Sequence, residues 1–165
     1  MSEKTIVLAG GCFWGMEALY RALPGVNEAV SGYANGKDAQ YAQYETVCTG
    51  LTGFREAVRV TYDPETITLR HLLFALFCVI DPAMYHRQGM DMGSQYQSGV
   101  YWIEPEDEAT VRAVAEIEAE GRKGFCTELE PLKLFCPAEE YHQRYLDKNP
   151  GGYCHISPMK RAALL

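Results

Sequence analysis

Several absences narrow this 165-residue chain before any motif is read. It contains no run of Lys and Arg, and its net charge is −7. Little electrostatic attraction to nucleic acid or to an anionic membrane follows, so neither is expected as a partner. No apolar stretch approaches the roughly 20 residues that span a bilayer. The most apolar one, Leu72 to Ile80, is stopped by Asp81-Pro82 and reads as a buried helix. Met1-Ser2-Glu3-Lys4 leads into a strand-length run with no export leader, so a cytoplasmic location is expected. The six cysteines, at 12, 48, 78, 126, 136 and 154, include no CxxC pair, which argues against a structural disulfide framework. Cys126, Cys136, Cys154, His142 and His155 share the last third of the chain, but not at the close spacing of zinc ligand pairs. No metal is expected. Repeats and low-complexity tracts are also missing, and 47% of residues are hydrophobic. A single domain over 1–165 is the expectation.

What is present begins with Gly10-Gly11-Cys12-Phe13-Trp14-Gly15. The strand-like run Thr5 to Ala9 precedes it, and apolar residues at Phe13, Met16, Leu19, Tyr20 and Leu23 follow at helical spacing until Pro24-Gly25. Cys12 is thereby placed at a helix N-terminus, where free backbone N–H groups and the helix dipole favour a thiolate and are expected to lower its pKa toward neutrality. A small buried cysteine beside a tight turn is the alternative. The two bulky aromatics at the first turn favour the reactive reading, because they can wall an apolar pocket beside the sulfur.

Further along, Glu28 to Tyr33 is a strand candidate, and Phe54 to Tyr62 alternates cleanly. Thr68 can cap a helix over Leu69 to Ile80, and a strand is expected near Ser98 to Ile103. A helix starting at Glu106-Asp107-Glu108 should turn Val111, Val114, Ala115 and Ile117 inward and end near Arg122-Lys123-Gly124. A short helix after Pro137 should place Tyr141 and Tyr145 one turn apart before Asn149-Pro150-Gly151-Gly152 breaks it, leaving an irregular tail over 149–165. Alternating strands and helices of this kind suggest a layered helix-and-sheet sandwich.

The alternating strand carries the second chemical signal. Glu56 shares a face with Phe54, Val58, Val60 and Tyr62, and that face should meet the core. Desolvation there would raise its pKa and keep it protonated, able to donate a proton at neutral pH. Pairing with an arginine such as Arg55 or Arg87, or a strand register that leaves Glu56 exposed, is the alternative. Tyr41, Tyr44 and Glu45 before this strand, and Asp91, Gln95 and Tyr96 after the long helix, form a phenolic and acidic set in glycine-containing loops where sites are often built. A hydrolase pairing Cys12 with His142 as base is a competing arrangement.

Several motifs together resemble the type A peptide methionine sulfoxide reductases over nearly the whole length. They are Gly11-Cys12-Phe13-Trp14-Gly15, Gly53 to Val58, Gln88 to Ser98, Ala138 to Gln143, and Lys148 to Cys154. The resemblance implies an α+β fold: a single-domain two-layer helix/sheet sandwich with a mixed central sheet, a ferredoxin-like core and a long irregular C-terminal tail. It implies Cys12 as nucleophile and Glu56 as acid, with Tyr44 and Tyr96 hydrogen-bonding the sulfoxide oxygen and Asp91 ordering the site through water. Phe13 and Trp14 would enclose the S-methyl group, and Cys154 would resolve the Cys12 sulfenic acid as a disulfide. The implied substrates are methionine S-sulfoxide in oxidised proteins, in peptides or free. No cofactor is implied beyond an external reductant, thioredoxin or another dithiol, and a monomer is expected. A noncatalytic module that binds oxidised methionine is the alternative from another class. The chain departs from the family pattern at Phe54-Arg55, Ile80, His86 and Gln97.

Overall fold

The structure, a computed structural model, describes residues 2–157, 160, 163 and 164. Strand β1 (Lys4–Ala9) runs into helix α1 (Phe13–Ala22), which returns through β2 (Val26–Ala34). A single-turn α2 (Tyr44–Val47) precedes β3 (Arg55–Tyr62), and α3 (Leu69–Val79) follows. A small hairpin, β4 (Arg87–Gln88) and β5 (Asp91–Met92), leads to β6 (Gly99–Trp102). The chain then forms α4 (Asp107–Ala119), β7 (Glu128–Pro131), β8 (Phe135–Pro137), a 3-10 turn at Glu140–His142 and α5 (Tyr145–Lys148).

The large sheet has the order β7-β6-β1-β3-β2-β8. Its inner four strands, β6-β1-β3-β2, pair antiparallel, whereas β7 joins β6 in parallel and makes the sheet mixed. The succession β1-α1-β2-β3-α3-β6 with that strand order is the expected ferredoxin-like core. Ile6 and Leu8 of β1 and Val58 and Val60 of β3 face α1 and α3 and are fully buried with them. On the opposite face Val7, Ala9, Ala34, Ala57 and Tyr101 are covered by Leu132 and Phe135, so the central strands are buried on both sides. Thr68 caps α3 as expected, its hydroxyl accepting the His71 N–H at 3.1 Å, which contributes about 1 kcal/mol. The Tyr20 hydroxyl ties α1 to α3 by donating to the Leu72 carbonyl at 2.9 Å.

Three expectations need correction. Helix α4 ends at Ala119, short of Arg122-Lys123, and Ile117 is 63% exposed. At about 100° per residue, Ile117 lies well off the stripe made by Val111, Val114 and Ala115. The helix after Pro137 is split. Arg144 adopts a left-handed conformation, and its N–H is held by both carboxylate oxygens of buried Glu17 at 3.0 Å. Tyr141 is therefore left exposed, while Tyr145 starts a separate turn that packs on α1. The tail is irregular through Ser157, but Lys160, Ala163 and Leu164 are helical; residues 158, 159, 161, 162 and 165 of the expected tail lie outside the described residues.

Candidate active site

The β1–α1 junction presents Cys12 as the residue preceding the first turn of α1, buried just beyond the C-terminal end of the central strand β1. Gly11, at φ +89°, allows the sharp entry into the helix, and a Cβ there would stand 2.9 Å from Gln88 and 3.0 Å from His155. No side chain caps α1. Instead the Phe13 N–H donates to Glu56 Oε1 at 3.2 Å, and the Trp14 N–H is directed to the Cys12 sulfur. The helix N-terminus thus holds the thiol and the carboxyl with its own free amides.

Glu56 is 1% exposed and pairs with neither arginine considered from the sequence. Arg55 forks onto Glu128, at 3.0 and 3.1 Å, and Arg87 donates to the Gly89 carbonyl. Glu56 Oε2 is buried with no hydrogen-bond partner. Burial pushes this carboxyl up to about 8; the Phe13 N–H works against the rise and the Asp91 charge adds to it. Glu56 is consequently a neutral acid at pH 7, with one free oxygen available to carry a proton.

Cys12 does not follow the expected shift. Burial pushes its thiol well above the ordinary value, the Glu56 charge adds to this, and the Trp14 N–H opposes it only in part. Helix-terminal stabilisation of the thiolate is real here but smaller than desolvation. The resting pair is a thiol beside a carboxylic acid, both neutral.

Tyr44 and Tyr96 approach the same centre from α2 and from the 3-10 turn Ser94–Tyr96. Burial and then the Glu56 charge push both phenols up, so they remain neutral donors. Glu139 positions Tyr44: one carboxylate oxygen accepts its backbone N–H at 2.9 Å, and the other accepts the Tyr33 hydroxyl at 2.7 Å. Phe13 and Trp14 do form an aromatic wall, but it is larger than the sequence suggested. The Phe13 ring lies 5.2 Å from His142, Trp14 stacks flat on Tyr145 at 3.7 Å, and Tyr44 lies 4.3 Å from His142. His142 Nδ1 accepts the Trp14 indole N–H at 3.0 Å. Burial lowers the His142 pKa, so the ring serves this wall in its neutral form.

The tail closes the site. Tyr153 donates its hydroxyl to Asp91 Oδ2 at 2.9 Å, His155 Nε2 bonds the Gly10 carbonyl at 2.7 Å, and Ile156 is buried in the core. Between these anchors, Cys154 lies against α1: a Cβ on Gly15 would stand 2.9 Å from its sulfur. Both Cys12 and Cys154 are free thiols. Asp91 thus contacts the tail directly and also bears electrostatically on Glu56 and Cys12.

The eight residues that the family resemblance assigns to the site therefore come to one end of the sheet, whereas Tyr41 of the phenolic set is left 43% exposed. Glu139, Tyr145 and His155, which support the eight, carried no assigned role, and His142, weighed only as a hydrolase base, instead accepts the Trp14 indole N–H; these roles show only through contacts distant in the chain. Of the departures from the family pattern, Gln97 is buried, and its Oε1 accepts the backbone N–H of His86 at 2.7 Å. Among the described residues, no group of three His, Cys, Asp or Glu side chains converges as a metal cage.

Comparison with known proteins places the chain in a family. The sequence model of the family described as Peptide methionine sulfoxide reductase matches residues 4–164. The chain is 46% identical over 154 residues to peptide methionine sulfoxide reductase MsrA of Clostridium botulinum (strain Okra / Type B1), covering 93% of this chain and 98% of the relative. Its fold superposes on Mxr1 from Saccharomyces cerevisiae in reduced form with a TM-score of 0.88 at 38% identity, covering 94% of this chain and 91% of that one. Mxr1 in complex with Trx2 matches with a TM-score of 0.60 at 29% identity, covering 87% of this chain and 84% of that one. The chain belongs to the peptide methionine sulfoxide reductase family.

Proposed function

We propose that this chain reduces the S epimer of methionine sulfoxide, free or in oxidised proteins, through Cys12, Glu56 and Cys154. The observation that carries the reading is the buried carboxyl of Glu56, neutral and with Oε2 unpartnered, beside the Cys12 thiol. A sulfoxide is attacked at sulfur only when its oxygen is protonated or strongly hydrogen-bonded. Glu56 gives its proton to that oxygen as the Cys12 sulfur attacks, and it regains one from the thiol. An S–S bond forms between Cys12 and the sulfoxide sulfur; the oxygen then passes to the Cys12 sulfur as that S–S bond and the substrate's S–O bond break, and methionine leaves a sulfenic acid. Tyr44 and Tyr96 donate to the same oxygen, the Phe13–Trp14 wall receives the methyl group, and Asp91 holds the tail and orders the site.

The second half of the cycle belongs to Cys154. Its thiol condenses with the sulfenic acid, releasing water and forming the Cys12–Cys154 disulfide. Two electrons from a dithiol restore both thiols. The solved complex of Mxr1 with Trx2 supports a thioredoxin in that role. No resident cofactor enters this cycle, and every side chain named comes from one chain, in keeping with a monomer. Among the described residues, no helix is long and apolar enough to cross a membrane.

The test is steady-state methionine release from separated S and R sulfoxides with thioredoxin. The expected result is turnover of the S epimer alone, abolished by Cys12→Ser. Turnover of neither epimer would leave a binding module, and ester or amide cleavage lost in His142→Ala would favour the hydrolase.

A further inference from the structure

Four methionines lie among the described residues, and they differ sharply. Met16 is fully buried, and Met84 is half buried with its sulfur accepting the Gly89 N–H at 3.3 Å. Met90 and Met92 are 91% and 73% exposed, although both are large apolar side chains. They flank Asp91 on the β4–β5 hairpin, at whose turn a Cβ on Gly89 would meet nothing within 4 Å. Adjacent residues of a strand point to opposite sides, so on β5 the side that Asp91 uses to reach Tyr153 is not the side of Met92, and Met90 stands at the turn before them.

We infer that Met90 and Met92 are reversible oxidation sites of this chain, and that their sulfoxides are substrates for a second copy of it. The inference rests on the proposed reductase activity. A hydroperoxide transfers one oxygen to the exposed thioether, giving the sulfoxide and water or an alcohol; the free access of solvent to both sulfurs directs it there before Met16 or Met84. The lesion then sits on an exposed hairpin, Met90 at its turn and Met92 on β5, the form in which an oxidised side chain can enter another molecule's site without unfolding either partner. Met92 is turned away from its own site, because Asp91, its neighbour on β5, takes the side that reaches Tyr153, and Met90 projects from the exposed turn. In the second copy, Cys12 takes the oxygen as a sulfenic acid, Cys154 displaces it as water, and a dithiol reduces the disulfide. The hairpin thereby consumes peroxide, and the site of another copy restores it.

The test uses an isotope-labelled Cys12→Ser chain, treated with hydrogen peroxide and freed of it, as substrate. Unlabelled wild-type chain is added sub-stoichiometrically with dithiothreitol and free methionine S-sulfoxide, and labelled peptides are read by mass spectrometry. Sulfoxide is expected at Met90 and Met92 ahead of Met84 and Met16, then a fall to about half at both, because peroxide makes two sulfur epimers and one is accepted. Peroxide-treated wild type given dithiothreitol alone should repair these positions faster as its concentration rises. The inference is overturned if the labelled sulfoxides persist while the free sulfoxide is consumed, if Met16 oxidises first, or if repair in the wild type is independent of concentration. Consumption of neither sulfoxide would instead refute the reductase reading beneath it.

Discussion

Replacing Glu56 by Gln separates an acid that holds a proton from a glutamate that is merely buried. In the folded chain this carboxyl titrates near 8 rather than at its ordinary 4.5, chiefly through burial. The unfolded chain therefore loses the proton first, and folded-state stability falls as pH rises from about 4.5 to about 8. Each pH unit in that window costs about 1.4 kcal/mol, so between pH 5 and pH 7 the wild type loses about 2–3 kcal/mol from this group. The side chain introduced by Glu56→Gln cannot titrate, and its amide places a donor where the neutral acid already carries its O–H, so any cost of the exchange is the same at every pH. The constant cost cancels in a pH series. Urea unfolding of both chains at pH 5, 6, 7 and 8 should show the variant gaining on the wild type by about 2–3 kcal/mol from pH 5 to 7 and levelling above pH 8. Its rate of methionine release should fall by about 100- to 10,000-fold, and the wild-type rate should decline above pH 8 as the acid ionises. Parallel stability curves, or a wild-type rate that climbs through pH 8, would refute the neutral-acid account.

Other consequences follow from the same contacts. His155→Ala removes the 2.7 Å bond to the Gly10 carbonyl beside Cys154. Disulfide formation after the first methionine should slow by roughly tenfold or more, with the first release unchanged, as read by rapid-quench and thiol labelling. Gly15→Ala puts a Cβ 2.9 Å from the Cys154 sulfur and should displace the tail, again slowing only the disulfide step. Trp14→Phe keeps a ring on Tyr145 but loses the indole bond to His142; stability should drop by about 1 kcal/mol in urea unfolding, and KM should rise more than kcat falls.

The sequence was most legible where one physical pattern dominates. Strand β3 alternates so strictly that Glu56 is placed on the core face, and the glycine pair before Cys12 marks the strand-to-helix junction without help from the rest of the chain. Thr68 likewise announces α3 by local capping chemistry. The unread parts depend on partners remote in sequence. Strands β7 and β8 are short, polar in part and bounded by prolines, and they exist because β6 and β2 offer edges to pair with. The break at Arg144 is set by Glu17, over a hundred positions away, and no local signal at Tyr141 to Tyr145 announces it. Cys12 illustrates a competition that periodicity cannot weigh: the helix terminus favours a thiolate, but burial outweighs it.

The central claim, that Cys12 takes the sulfoxide oxygen and Cys154 removes it, is tested most directly by one reductant-free turnover. Reduced chain mixed with excess methionine S-sulfoxide should release one methionine per molecule and lose two thiols, with peptide mapping placing the new disulfide between Cys12 and Cys154. In Cys154→Ser the same single methionine should appear, with a dimedone-trappable sulfenic acid on Cys12. Release of methionine by Cys12→Ser, or a disulfide that omits Cys154, would contradict the account.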